Sequence, residues 1–266
     1  MTLFTQFTQF NQAKRCRYGT VLYNVNDAYV GRSLALYGEF SEGEVEVFRQ
    51  ILAPGCVVLD VGANIGAHTL FFAQAVGPEG AVLAFEPQRV VFQTLCANMA
   101  LNSVTNTRCI QAAVGEAPGR LLAPPMDYGR ANNFGGIALG GFEAGEEVDV
   151  LRLDDFDLPH CRLIKVDVEG MELSVLKGAA GLIARHRPLL YVENDKPEKS
   201  DALIRHIAAL GYDQYWHNPT LFNPENHDGN PDNVFPRVVS RNMLCIPQEL
   251  GQQLSGFPRV QIPAAQ

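Results

Sequence analysis

Positive charge is sparse and dispersed in this chain. Its 266 residues hold 21 Lys and Arg against 29 Asp and Glu, a net charge of -8, and no basic run exceeds Lys14-Arg15. A nucleic-acid partner needs a basic stripe to neutralise phosphates, so none is expected. No apolar run approaches the length of a bilayer span, and the opening MTLFTQFTQF has no signal-peptide core. The expectation is a cytoplasmic protein without a membrane segment. Cys16, Cys56, Cys96, Cys109, Cys161 and Cys245 never form a Cys-x-x-Cys pair. They read as reduced thiols rather than disulfides or a zinc site, and no His/Asp/Glu spacing suggests a metal either.

What is present is a strand that runs into a glycine turn. Val57, Val58, Leu59 and Val61 form an apolar, largely β-branched run ending at Asp60-Val61-Gly62-Ala63-Asn64-Ile65-Gly66, and helical spacing follows from His68 to Val76. Strand, Gly turn and helix N-terminus together make a cofactor cradle. A dinucleotide fingerprint places Gly where Asn64 stands, because only a bare backbone lets a pyrophosphate approach, and no Gly-Lys-Ser/Thr follows to make a P-loop. A second apolar strand, Gly80 to Phe85, ends at Glu86-Pro87, with Glu86 20 positions beyond Gly66. A carboxylate there can accept hydrogen bonds from both ribose hydroxyls. The pattern therefore fits a nucleoside without phosphates, and S-adenosylmethionine answers that description.

In chain order, residues 1–40 are aromatic and polar, with Val21–Val25 read as an edge strand. Ser41 to Glu44 reads as a capping box opening a helix Glu44–Leu52. A helix is expected over Arg89–Leu101 and a third strand near Arg108–Ala113. Residues 114–145 are Gly-rich and read as a long loop or hairpin, before strands at Val148–Leu153 and Leu163–Asp167. A helix from Glu169 to about His186, a strand Leu189–Glu193, a helix Asp201–Leu210, and strands near Tyr212–Trp216 and Met243–Ile246 complete the pattern. Alternating strands and helices predict a doubly wound, mostly parallel α/β sheet with helices on both faces, Rossmann-like, its last two strands a hairpin. The expected division is an extension at 1–40, a catalytic domain at 41–247 and a tail at 248–266. The long segments 114–145 and 217–242 are expected to roof a substrate site at the strands' carboxyl ends.

The segments LDVGANIGAHT, AFEP and IKVDVEGME, with Gly178 beyond them, resemble the FkbM-type methyltransferases, over roughly Gly38 to Ile246. The resemblance implies a seven-stranded class I fold, S-adenosylmethionine at Asp60–Gly66 and Glu86, and an acceptor that varies between members, many of which O-methylate sugars, polyketides and other secondary metabolites.

Methyl transfer from a sulfonium depends mostly on positioning, and an alcohol acceptor also needs a base. Asp167, at the tip of the fourth core strand, is the first candidate for that base. Glu169 and Glu172 are read as one helical face, Glu169 as a candidate and Glu172 as a partner of the helix dipole. Lys165 shares a strand face with Asp167 and needs a partner, for which Glu193 is chosen; both join the catalytic set, although a purely structural ion pair fits equally. His68, Thr69, Pro87 and Ala113 join Asp60, Gly62, Ala63, Asn64, Gly66, Glu86 and Asp167 as cofactor residues. Asn132, Asn133, Phe134, Asn194, His217, Asn218 and Asn226 are candidate substrate residues, since amides both donate and accept hydrogen bonds; their abundance in turns explains many of them equally well. A small-molecule O-methyltransferase is the primary reading. N- or protein methylation, or a non-catalytic S-adenosylmethionine-binding module, stays open, as does homo-oligomerisation.

Overall fold

The computed structural model describes residues 10–139 and 141–264. The MTLFTQFTQF segment, on which the signal-peptide reading rests, falls almost wholly outside them. A hairpin comes first, β1 (Asn11–Cys16) and β2 (Gly19–Asn24), followed by α1 (Val30–Tyr37) and α2 (Glu42–Ile51). The Rossmann-like body then runs through β3 (Val57–Val61), α3 (Ala67–Val76), β4 (Ala81–Phe85), α4 (Arg89–Leu101) and β5 (Thr107–Ile110). Next come β6 (Ala113–Val114), β7 (Gly119–Ala123), β8 (Glu146–Leu151) and β9 (Leu163–Val166). The chain closes with α5 (Glu172–Lys177), α6 (Ala180–His186), β10 (Leu189–Glu193), α7 (Pro197–Ala209), β11 (Tyr212–His217) and β12 (Asn242–Pro247). No helix among the described residues is long and apolar enough to cross a membrane.

The main sheet has seven strands in the order β11-β12-β10-β9-β3-β4-β5. Only β12 runs against its neighbours, inserted between β10 and β11. Every residue of β3 and β9 is buried, as a parallel sheet covered on both faces requires. One core layer packs α5, α6 and α7 on Leu59, Ile164 and Leu190. The opposite layer packs α2 and α3 through Phe48 and Phe72 onto Val58 and Leu189.

Several expectations are corrected. The strand Val21–Val25 is not an edge of the main sheet, because β2 pairs with β1 alone. The third core strand stops at Ile110, and Ala113–Val114 instead joins β7 and β8 in a separate three-stranded sheet. That sheet exposes Glu147 and Asp149 on the face opposite buried Val148, a one-sided pattern the doubly covered main sheet cannot accommodate. The helix predicted from Glu169 to His186 is two short helices. Asp154 accepts the Gly181 and Leu182 N–H groups at 3.0 and 2.7 Å, capping α6 from a distant loop. Ser41 is no N-cap acceptor: its backbone is left-handed (φ 48°), and its hydroxyl donates to Glu44 Oε1 at 2.8 Å. The helix α7 begins at Pro197, four residues before its expected start, with proline in the first turn, where its missing N–H is harmless.

The hairpin is fastened to α4 by two side chains one helical turn apart. Asn98, wholly buried, accepts from Leu22 N at 2.6 Å and donates to the carbonyls of Leu22 and Ile65 at 3.0 and 2.7 Å. Asn102 does the same to Thr20, at 2.8 and 2.7 Å. Substituting Asn98→Leu keeps the number of side-chain heavy atoms but strands two part-buried groups of Leu22 and the buried Ile65 carbonyl. The expected loss is about 1–3 kcal/mol in urea unfolding, with amide exchange accelerated at Leu22, whose N–H loses its acceptor. Unchanged stability would mean water replaces the amide.

Candidate functional site

The carboxyl ends of β3, β4, β9 and β10 open into two adjoining cavities that share Gly62, Glu86, Gly135, Asp167 and Glu169. The smaller, about 450 Å³, is an apolar slot walled by Phe85, Ala112, Ala113, Leu139 and Met171. The larger cleft, about 1160 Å³, runs from the Gly turn to the ends of β10 and β12, beneath Leu221 and Val238–Ser240 of the 217–242 segment.

The turn is shaped by close backbone approach. Gly62 has φ 83°, and a Cβ there would lie 1.8 Å from the Asp167 carbonyl oxygen, so no other residue fits between β3 and β9. Gly62 and Ala63 N–H groups both donate to the Phe85 carbonyl, at 3.0 and 2.9 Å, turning the chain over the end of β4. Asn64 is itself left-handed (φ 52°), and its side-chain oxygen accepts from Ile65 N. Gly66 closes the turn in the same region and caps α3.

Glu86 lies buried where the two cavities meet. It accepts from Asn64 N at 3.0 Å and from Gln88 N at 2.9 Å. Burial nevertheless raises its pKa to about 7, and the two backbone N–H groups offset only part of that rise. Gln88 Oε1 is buried on the wall of the slot without a hydrogen-bond partner.

Beneath the turn is a buried ion cluster. Lys165 Nζ lies 3.6 Å from Asp60 Oδ1 and 3.3 Å from Asp167 Oδ2, and reaches the Gly62 carbonyl at 3.4 Å. Burial works against the Lys165 charge, but Asp167, Asp60 and Glu44 outweigh it and hold the ammonium protonated. The expected Lys165–Glu193 pair is thus corrected: across the sheet Lys165 registers with Asp60 on one side and Tyr191 on the other. Asp60 is wholly buried and takes the Thr69 hydroxyl at 2.6 Å, so both lie behind the cavity wall. The Asp167 side chain is 41% exposed and lines both cavities, within reach of a ligand.

Glu169 and Glu172 do not share a helical face. Glu169 sits in the loop before α5 at φ 55°, followed by Gly170 at φ 99°, and pairs with Lys196 at 2.7 Å. Glu172 turns inward to accept from Gly170 N at 2.8 Å. The carboxylate oxygens of Asp167, Glu169 and Glu193 all come within 4.8 Å of one another, a grouping that the sequence spacing concealed. Burial first, then Asp167 and Glu169, push Glu193 up to about 11, so it stands protonated beside the other two.

Among the remaining sequence candidates, Ala63, Asn64, His68 and Asn133 line the larger cleft, while Pro87 and Ala113 line the slot. Others lie elsewhere. The Asn132 backbone ties its loop to the segment after β2, accepting from Ala28 N and donating to the Asn26 carbonyl, and Phe134 packs on Tyr128. Asn194 is buried against Met243. His217 bonds the Tyr191 hydroxyl at 2.8 Å, and Asn218 is exposed outside the cleft. Asn226 braces its own loop through the carbonyls of Asn223 and Asn230. Sequence reasoning missed Phe40, Glu44 and Ser240 in the cleft and Gln88 in the slot. Gln88 alone left a trace, following the Glu86-Pro87 strand end.

Comparison with known proteins places a match to the Methyltransferase FkbM domain over residues 60–213. The chain is 30% identical over 143 residues to Methyltransferase 1 of Beauveria bassiana, covering 46% of this chain and 57% of that protein. It is 35% identical over 159 residues to the 31-O-demethyl-FK506 methyltransferase FkbM of Streptomyces tacrolimicus, covering 48% and 60%. Identity to the hexuronic acid methyltransferase AglP of Haloferax volcanii is 29% over 155 residues, covering 51% and 56%. The chain thus spans less than two thirds of the length of each of these relatives.

The ion cluster makes a stability prediction. Lys165→Met leaves Asp60 buried without its counter-charge and should lower unfolding free energy by about 3–5 kcal/mol. Adding Asp60→Asn should restore part of that loss. If the two losses simply add in a double-mutant cycle, the residues are not coupled.

Proposed function

Since the chain belongs to the FkbM methyltransferase family, we propose that it transfers a methyl group from S-adenosylmethionine to a hydroxyl of a small molecule. The observation that carries this reading is the buried Glu86 carboxylate between an apolar slot and the Gly62–Gly66 turn. A nucleoside without phosphates fits that arrangement. The apolar slot suits an adenine, the unpartnered Gln88 oxygen can accept from its amino group, and Glu86 can accept from the ribose diol. S-adenosylmethionine supplies an electrophilic methyl group on a sulfonium.

The residues of this chain orient the acceptor and take its proton. Asp167 is the proposed base: it is exposed to the cleft and held by Lys165, whereas Asp60 is sealed away. Protonated Glu193 and the Lys196-paired Glu169 then serve as hydrogen-bonding groups around it. The segments 114–145 and 217–242 form the proposed acceptor roof, with Asn133, Gly135 and Val238–Ser240 already on the cleft wall. Two relatives are named for small-molecule acceptors, a hexuronic acid and 31-O-demethyl-FK506, which supports an acceptor of that size. Six free thiols fit a cytoplasmic setting.

Two measurements test the reading. A ribose diol donates to the ionised form of Glu86, so binding must expel the proton that burial retains. The raised pKa means the fold alone favours the protonated carboxyl, and this group's contribution to stability is lost as pH rises from 4.5 toward about 7. S-adenosylhomocysteine affinity should therefore increase with pH over that window. Calorimetry in buffers of different ionisation enthalpy at about pH 6 should show proton release. Glu86→Gln should flatten the pH slope; proton uptake would place the ribose elsewhere.

Asp167→Asn should slow methyl transfer roughly 10²–10⁴-fold with little change in S-adenosylhomocysteine affinity. Near-normal turnover by a folded variant would remove Asp167 as the base.

A further inference from the structure

The larger cleft has an apolar lip that the charged groups at the strand ends do not call for. Tyr29, immediately before α1, and Val239, in the 217–242 segment, both line it, at 37% and 47% exposure. No other exposed large apolar side chain among the described residues lines either cavity. Apolar surface kept open to water at a cavity is the mark of a ligand-binding face. Leu221 and Val238 continue it within the same cleft. All four residues lie outside 60–213, the span matched by the family.

The lip is held from behind. Tyr29 stacks on Phe235, with ring centroids 6.1 Å apart and planes 23° from parallel. The Arg32 guanidinium lies over the same Phe235 ring at 5.6 Å. Phe235 and Leu221 are buried with Tyr37 in one small core cluster, and Val238 packs against it. The face is therefore formed before any ligand arrives, which lowers the ordering cost of binding.

This face also has little hydrogen bonding left to offer. The N–H groups of Leu221, Val238 and Ser240 already donate to the carbonyls of Val238, Phe235 and Pro219. Asp27 accepts from Tyr29 N at 2.9 Å. The side chains of Leu221, Val238 and Val239 carry no polar atom. A polyhydroxylated ring laid here would give up water and find no partners for its hydroxyls. A flat apolar ring gains by leaving water, and Tyr29 gives it a fixed aromatic face to stack on.

We infer that Tyr29, Val238 and Val239 form a specificity wall for an acceptor whose hydroxyl sits on a flat apolar ring, of the phenol or naphthol type. The ring lies against the wall and the hydroxyl turns toward Asp167. The inference rests on the methyltransferase reading of the cleft and narrows its acceptor. The three wall residues touch the body of the acceptor and have no part in the proton transfer.

1-Naphthol is the probe, followed by its own fluorescence as it is titrated into protein saturated with S-adenosylhomocysteine. It should bind, and excess methyl α-D-glucopyranoside should not displace it. Tyr29→Ser and Val239→Ser should each weaken it about fivefold, the scale of one aromatic contact or one covered side chain. Tyr29→Phe should keep the wild-type affinity, because the ring and not its hydroxyl makes the contact. Leu101→Ser, which removes an exposed apolar side chain outside the cleft, should change nothing. S-adenosylhomocysteine affinity should stay within about twofold in all four variants. Failure of 1-naphthol to bind, unchanged affinity in either Tyr29→Ser or Val239→Ser, or displacement by the glycoside refutes the wall. Displacement of S-adenosylhomocysteine by 1-naphthol refutes it equally, since the ring then occupies the apolar slot. If S-adenosylhomocysteine does not bind at all, the methyltransferase reading fails instead, and the 1-naphthol titration of free protein still decides the wall.

Discussion

A lysine ammonium buried between two aspartates organises the carboxyl end of the sheet. Lys165 belongs to β9, Asp60 to its neighbour β3, and Asp167 to the turn leaving β9. Removing Lys165 would strand Asp60 in a low-dielectric interior, whereas Asp167 keeps one face in the cleft. The cluster fixes the relative height of β3 and β9, and the Gly62 carbonyl joins it. The Gly turn, the exposed face of Asp167 and the floor of the cleft are therefore set by one electrostatic constraint. Thr69 extends it into α3 by bonding the second Asp60 oxygen.

The body of the fold was legible because its signals are local. Apolar runs ending in Asp60 and Glu86, and the helix over Arg89–Leu101, need no distant partner to be read. Failures occurred where a distant residue decides the outcome. The break between α5 and α6 depends on Asp154, which caps α6 from a loop beyond β8. The partner of Lys165 was misread because strand order, not chain order, makes Asp60 its neighbour. Ser41 and Glu44 have the spacing of a capping box, yet the serine backbone is left-handed and the glutamate is drawn into the cleft wall.

The candidate site divides along the same line. Gly62, Asn64 and Glu86 belong to contiguous motifs and line the larger cleft. Asparagines chosen for their chemistry alone divided less well: Asn133 lines the cleft, while the Asn226 amide braces its own loop. An amide bonds backbone as readily as ligand, and only the path of the loop decides between the two. Asn98 shows how far this substitution can go, because one helical side chain serves both the hairpin and the Gly turn.

The antiparallel insertion of β12 has a consequence for how this protein can change. The segment after β11 starts at His217 and returns at Asn242, and those two residues are direct partners across the sheet. Its ends are thus held side by side by a ladder that extends to Tyr212 and Pro247. Lengthening such a closed segment adds only a logarithmic entropy, about 0.6 kcal/mol per doubling. Residues between the anchors can be inserted, deleted or exchanged while β3, β4 and β9 keep their register. The architecture separates strand ends that must keep register from a segment held over the same opening by its own contacts with α1, where Tyr37 bonds Asp232 and Val234 and packs on Leu221 and Phe235.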